Sequence, residues 1–85
     1  MATHDLKIRP EHFYNILMGI KTAELRLNDR DYRVGDILCL REYVDGNYTC
    51  YRIFRRISHV LDDEEYLQPG YVMLSLVDDV VNSAE

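Results

Sequence analysis

Residues 37–54 read Ile-Leu-Cys-Leu-Arg-Glu-Tyr-Val-Asp-Gly-Asn-Tyr-Thr-Cys-Tyr-Arg-Ile-Phe, and the pair at their centre, Asp45-Gly46, decides the fold. Asp-Gly between two runs of aliphatic and aromatic residues signals a two-residue type I′ turn. Both central positions need positive φ, and the twist of that turn matches the twist of the strands it joins. The spacing predicts antiparallel strands over 37–43 and 48–60. Stepping outward from a two-residue turn pairs Tyr43 with Tyr48 and sets Leu40 opposite Tyr51 and Leu38 opposite Ile53. Those last four residues are the expected core face. The other face is expected to pair Arg41 with Cys50, Cys39 with Arg52 and Ile37 with Phe54. One step further, Asp36 faces Arg55, an expected ion pair at the strand end.

On the N-terminal side, His4 to Arg9 alternates as a half-buried strand with Leu6 and Ile8 inward. Pro10 suits the first turn of a helix, and Glu11 beside it complements the helix dipole. Phe13, Ile16, Leu17 and Ile20 recur at i, i+3, i+4 and i+7 as one apolar stripe, and Gly19 is the expected C-terminal cap. Thr22 to Leu27 alternates Ala23-Leu25-Leu27 against Thr22-Glu24-Arg26. The apolar set is expected inward, with the charged set facing away from the core or lining a cleft. Beyond the hairpin, Asp62-Asp63-Glu64-Glu65 is a solvated loop and Pro69-Gly70 a turn. Tyr71 to Val77 is a final strand with Val72, Leu74 and Leu76 inward. The order β-α-β-β-β-β with short strands fits a small α+β barrel of about five strands and one main N-terminal helix. Full closure would leave no exposed sheet edge.

The chain has 85 residues, enough for one domain that buries roughly 60–65% of its unfolded surface. That domain is expected over residues 1–77, with a frayed acidic tail over 78–85. No stretch is long or apolar enough to span a membrane and no signal-peptide pattern opens the chain, so a cytoplasmic monomer is expected. Cys39 and Cys50 are expected reduced and half-buried in strands. The net charge is −5 and unevenly spread. Asp62, Asp63, Glu64, Glu65, Asp78, Asp79 and Glu85 lie in the last third, which has no Lys or Arg; this region would suit a basic protein partner. An acidic protein is a poor non-specific binder of nucleic acid, because phosphate contacts must overcome its own field. His4, His12 and His59 have no metal-ligand spacing, and neither metal nor cofactor is expected. Ser58 and His59 are neighbours on a strand and point to opposite faces, so they form no dyad.

The candidate chemistry lies in Gly19-Ile20-Lys21-Thr22-Ala23-Glu24-Leu25-Arg26. Alternation sends Glu24 and Arg26 to one face, with Lys21 at the strand mouth, so two cations and an anion surround one small volume. An ordinary surface ion pair would account for the same spacing. Gly19, Lys21, Glu24 and Arg26 nevertheless match G-x-K-x-x-E-x-R, and the chain from Asp5 to about Val77 resembles the ASCH family, whose domains are β-barrels related to the PUA domain. It is most similar to short ASCH-like domains of unknown function in bacteria and phages.

That resemblance implies binding of RNA or a nucleotide-like ligand in the cleft between the helix end and the adjoining strands. Lys21 and Arg26 would hold a phosphate or a base edge, while Glu24 would accept from an exocyclic amine or orient Lys21. Arg30 and Arg33, near the motif, are expected as secondary binding residues, with Tyr32 as a stacking ring. Arg52, Arg55 and Arg56 could serve the same ligand or simply pair with carboxylates. Some ASCH proteins resemble small amidohydrolases acting on N-acylated (N4-acetyl) cytidine, using a lysine, a threonine three residues on and a later glutamate. Here Lys21 occupies the lysine position and Glu24 the threonine position, and no later glutamate corresponds. Lys21 and Glu24 would be the catalytic candidates, without the hydroxyl nucleophile.

Overall fold

In a computed structural model describing residues 1–80, Asp45 and Gly46 take φ of 50° and 84°, as a type I′ turn requires. They join β3 (Ile37–Val44) to the long β4 (Asn47–Leu61). The other elements are β1 (Thr3–Ile8), α1 (Pro10–Leu17), β2 (Ala23–Leu27) and β5 (Tyr71–Val77). Together they form one five-stranded sheet of order β1-β3-β4-β5-β2, curled into a half-barrel with a single short helix. β1 runs parallel to β3 and the other neighbours are antiparallel. The expected full closure is absent: β1 and β2 are both edge strands. No helix among the described residues is long and apolar enough to cross a membrane.

One apolar cluster takes members from every element except β2. It includes Leu6, Ile8, Phe13, Ile16, Leu38, Leu40, Ile53, Ile57, Val72, Leu74 and Leu76. The inward residues expected for β1 and β5 are therefore all in the core. Of the helical stripe only Phe13 and Ile16 are buried; Leu17 is exposed on the last helical turn, and Ile20 lies beyond the helix end and is exposed. The stop is a Schellman cap. Ile20 N–H donates to Asn15 O and Gly19 N–H to Ile16 O, with Gly19 at φ 78°.

The hairpin register holds only next to the turn. Tyr43 faces Tyr48, but then a bulge intervenes, and Leu40 faces Ile53, Leu38 faces Arg55 and Ile37 faces Arg56. Thr49, Cys50 and Tyr51 thus occupy the interval of one β3 residue, Glu42. The bulge is satisfied locally. Thr49 Oγ1 accepts from Tyr51 N–H at 3.1 Å and donates to Glu42 at 2.9 Å. A two-residue shift preserves side-chain parity, so Leu38, Leu40 and Ile53 remain inward. It carries Tyr51 out of the core, to 63% exposure, beside Phe13, Tyr14 and Leu17.

The same shift removes the expected Asp36–Arg55 ion pair. Arg55 points inward opposite Leu38, donating to Phe54 O at 2.9 Å and to Ile16 O at 3.2 Å near the helix C-terminus. Asp36 is 4% exposed and has a different set of partners. Its carboxylate accepts from Ala2 N–H at 3.0 Å and Arg33 N–H at 3.1 Å, and His4 Nε2 lies 2.9 Å away. Burial acts to raise its pKa, but these hydrogen bonds and the charge of His4 outweigh it and hold the carboxyl below its ordinary value.

The cysteines also divide. Cys39 is buried at 2% exposure and Cys50 is exposed, each as a free thiol. Of the acidic tail, Asp79 pairs with Arg56, while residues 81–85 lie outside the described residues.

Candidate functional site

The register of β2 against β5 reverses the expected faces of β2. Glu24 faces Leu74 and Arg26 faces Val72, and both β5 partners are fully buried. The charged set therefore points into the curl, and Leu25 and Leu27 point out at 57% and 51% exposure. Alternation separates the two sets correctly, but hydrophobicity alone selects the wrong one as inward. β2 is an edge strand, and its inner charges neutralise one another instead of meeting the core.

Glu24 is the centre of that arrangement, at 8% exposure. Lys21 Nζ lies 3.3 Å from its Oε1, and Arg26 donates to Oε2 from Nη2 at 2.8 Å and from Nε at 3.1 Å. Arg26 Nη2 also donates to the carbonyl of Lys7 on β1, at 2.7 Å. Among the described residues Arg26 Nη1 has no partner. Much of the Arg26 guanidinium is thus engaged in the fold, and Lys21 is the more available cation.

Backbone hydrogen bonding explains why the Lys7 carbonyl is accessible. Thr22 O accepts from Leu76 N–H and Asn28 N–H donates to Gly70 O, so the even-numbered residues of β2 bond to β5. The amide groups of Ala23, Leu25 and Leu27 then face the open seam. Ala2 O accepts from Ile37 N–H, which likewise turns the amide groups of Thr3, Asp5 and Lys7 toward the seam.

A groove of about 570 Å³ runs along β2. Lys21, Glu24, Arg26 and His12 are its polar lining, and Leu25, Leu27, Tyr71 and Met73 its apolar lining. Leu25 and Tyr71 also border a second hollow, of about 370 Å³, with Tyr66 and Leu67. The two hollows share Leu25 and Tyr71, and the second lies against the loop before β5. No Ser, Thr or Cys lines the larger groove among the described residues.

The sequence motif is therefore brought together as a unit, while its expected satellites lie apart. Tyr32 is buried at 5% exposure and meets the His4 ring edge-on at 4.8 Å, so it offers the groove no open ring face. Burial raises its pKa, against the lowering influence of Arg26 and Arg30. Arg33 pairs with Asp31 at 2.8 Å and Arg30 lies 3.9 Å from Asp29; both are exposed and neither lines the groove. His12, Tyr71 and Met73 are the lining residues that sequence reasoning missed. Tyr71 and Met73 alternate with the buried Val72 and Leu74, which places them on the outward face, but only the β2–β5 pairing brings them to the motif.

A curled five-stranded half-barrel with one helix and a charged groove at its edge defines a small α+β domain. Residues 3–76 match the family model described as Domain of unknown function (DUF3850), and the chain belongs to that family. It is also 39% identical over 71 residues to an uncharacterized 12.9 kDa protein of Escherichia phage P2, named for its place in the GpA 3′ region. The match covers 84% of this chain and 64% of the phage protein, so the chain spans under two thirds of that relative's length.

Proposed function

We propose that this domain binds a short single-stranded RNA segment or a nucleotide-like ligand in the groove along β2. The observation that carries the reading is the Glu24 carboxylate, nearly buried between Lys21 and Arg26 in the lining of a largely apolar groove. Few polar groups converging in an apolar cleft are what a small-ligand site requires. A nucleobase suits it: its faces match Leu25, Leu27 and Tyr71, and its exocyclic amine can donate to Glu24. Lys21 then meets a phosphate or a base carbonyl. The resemblance of Gly19, Lys21, Glu24 and Arg26 to the ASCH motif points the same way. With a net charge of −5, recognition rests on these discrete contacts and not on a general positive field.

Catalysis is not part of this reading, since Glu24 stands where an acyl-transfer mechanism of the ASCH type would want a hydroxyl. An N4-acetylated cytidine is expected to bind and to remain intact. The test is calorimetric titration of a 5′-nucleotide, a short single-stranded RNA and N4-acetylcytidine into wild type and Lys21→Gln. The expected result is binding that Lys21→Gln weakens about tenfold, as the loss of one charge-assisted contact implies. Binding of none of the three ligands to wild type would overturn the proposal.

A further inference from the structure

Lys7, Arg41 and Arg52 stand in one row across three neighbouring strands. Lys7 is the register partner of Arg41 in the β1–β3 pair, and Arg41 is the partner of Arg52 in the β3–β4 pair. Strands lie about 4.8 Å apart, so the row sets three positive charges across about 10 Å of the outer sheet face. Like charges directly opposite one another destabilise a sheet. Here they are scarcely neutralised. Among the described residues Arg41 has one carboxylate neighbour, Asp5 at 3.8 Å, and Lys7 and Arg52 have none.

Aromatic rings hold the row in place. Lys7 Nζ lies 4.6 Å from the centroid of Tyr43, Arg41 lies 4.0 Å from that of Tyr48, and Arg52 lies 5.8 Å from that of Phe54. Tyr43 and Tyr48 are themselves partners, meeting edge-on at 5.0 Å. Cation–π contacts fix the direction of a charge without cancelling it, so less side-chain freedom is lost when an anion arrives. The same face carries Arg56 with its partner Asp79, giving four cations to two carboxylates among the described residues. The acidic loop begins at Asp62, ten residues beyond Arg52. That is on the order of 30 Å along the strand and well past one Debye length.

We infer that this outer face binds single-stranded nucleic acid, with backbone phosphates along the Lys7–Arg41–Arg52 row and Tyr48, 44% exposed, available to a base. Phosphates supply the missing negative charge, and the flanking rings favour a ligand that also has π faces. The row does not depend on the groove, although the two meet at Lys7, whose carbonyl accepts from Arg26 while its ammonium opens the row. A strand seated in the groove could pass over the β1 edge onto the row.

The test is fluorescence anisotropy with labelled RNA and DNA strands of one sequence, about 12 nucleotides long, between about 50 and 200 mM salt. Wild type, Arg41→Gln/Arg52→Gln and Lys21→Gln are compared. The double variant should bind the oligomers about tenfold more weakly and lose about 1.4 from the salt slope, two contacts at about 0.7 each. Its affinity for a mononucleotide should not change. Preference for RNA would assign contacts to the 2′-hydroxyl and equal affinity would assign phosphate alone; either supports the row. Oligomer binding lost in the double variant but intact in Lys21→Gln would remove the groove as an oligomer site and leave the row standing. Should the double variant melt early, Arg52→Gln and Arg52→Lys replace it, the first weakening binding and the second retaining it. Unchanged affinity and salt slope in folded variants, or no oligomer binding by wild type, would overturn the inference.

Discussion

The side chain of Arg26 joins the two edges of the curled sheet, donating from β2 to the main-chain carbonyl of Lys7 on β1 at 2.7 Å. The same guanidinium holds Glu24 through two further hydrogen bonds. One residue thus fastens the seam and orients the carboxylate of the candidate site. A sheet edge left open exposes unpaired amide groups, and a charged side chain across it also discourages further strand pairing.

Arg26→Ala should therefore destabilise the domain by about 2–3 kcal/mol, the scale of lost hydrogen bonds between charged groups in a partly buried setting. Arg26→Lys keeps the charge but not the fork, and should fall between the two. Urea denaturation reads both; an Arg26→Ala protein as stable as wild type would show that the seam needs no clasp.

The buried carboxyl of Asp36 makes stability depend on pH at the acid end. Its pKa is lowered in the folded protein, so its contribution is fully present above the unfolded value of about 3.9 and is lost as pH falls through the lower folded value. Asp36→Asn cannot accept as its three partners require, and should lose about 1–3 kcal/mol near neutral pH together with part of the acid-limb slope. Thermal melts of both proteins from neutral pH to about pH 2 check the sign.

Gly19 closes the helix at φ 78° with open space around the position of a Cβ. Gly19→Ala therefore meets backbone strain and no clash, and should cost about 1 kcal/mol, a melting shift of about 4–8 °C. Since Lys21 follows within two residues, ligand affinity should fall beyond what reduced folding explains.

The two thiols should react in sequence. Cys50 is exposed, while burial and a hydrogen bond with Asp5 raise the pKa of Cys39. A chromogenic disulfide reagent at neutral pH should titrate one thiol in the native protein and two in denaturant. Two fast thiols in the native state would contradict the burial of Cys39.

Much of this architecture was legible in the chain. The Asp45-Gly46 turn, the inward residues of β1 and β5 and the glycine-terminated helix follow from local chemistry and periodicity. Two features were not. The bulge at Thr49 carries no strong signal, because a hydroxyl in a strand ordinarily needs no explanation, yet it moves Tyr51 out of the core and separates Arg55 from Asp36. The inward turn of Glu24 and Arg26 contradicts hydrophobic alternation, which is reliable where both faces are well covered and fails on an edge strand whose apolar face lines a groove. For the site, spacing alone gathered Lys21, Glu24 and Arg26. Tyr71, Met73 and His12 reach them through pairings distant in sequence, and Tyr32 is drawn into the core by His4.

The most direct test of the groove is an amide-shift titration of wild-type and Lys21→Gln protein at low salt, with a 5′-nucleotide and a short single-stranded RNA. Shifts should cluster at His12, Lys21 through Leu27, Tyr71 and Met73, and should diminish in the variant. Ligands that leave those amides unmoved while wild type stays folded, or that shift only residues remote from β2, would contradict the assignment of the groove as a nucleotide site.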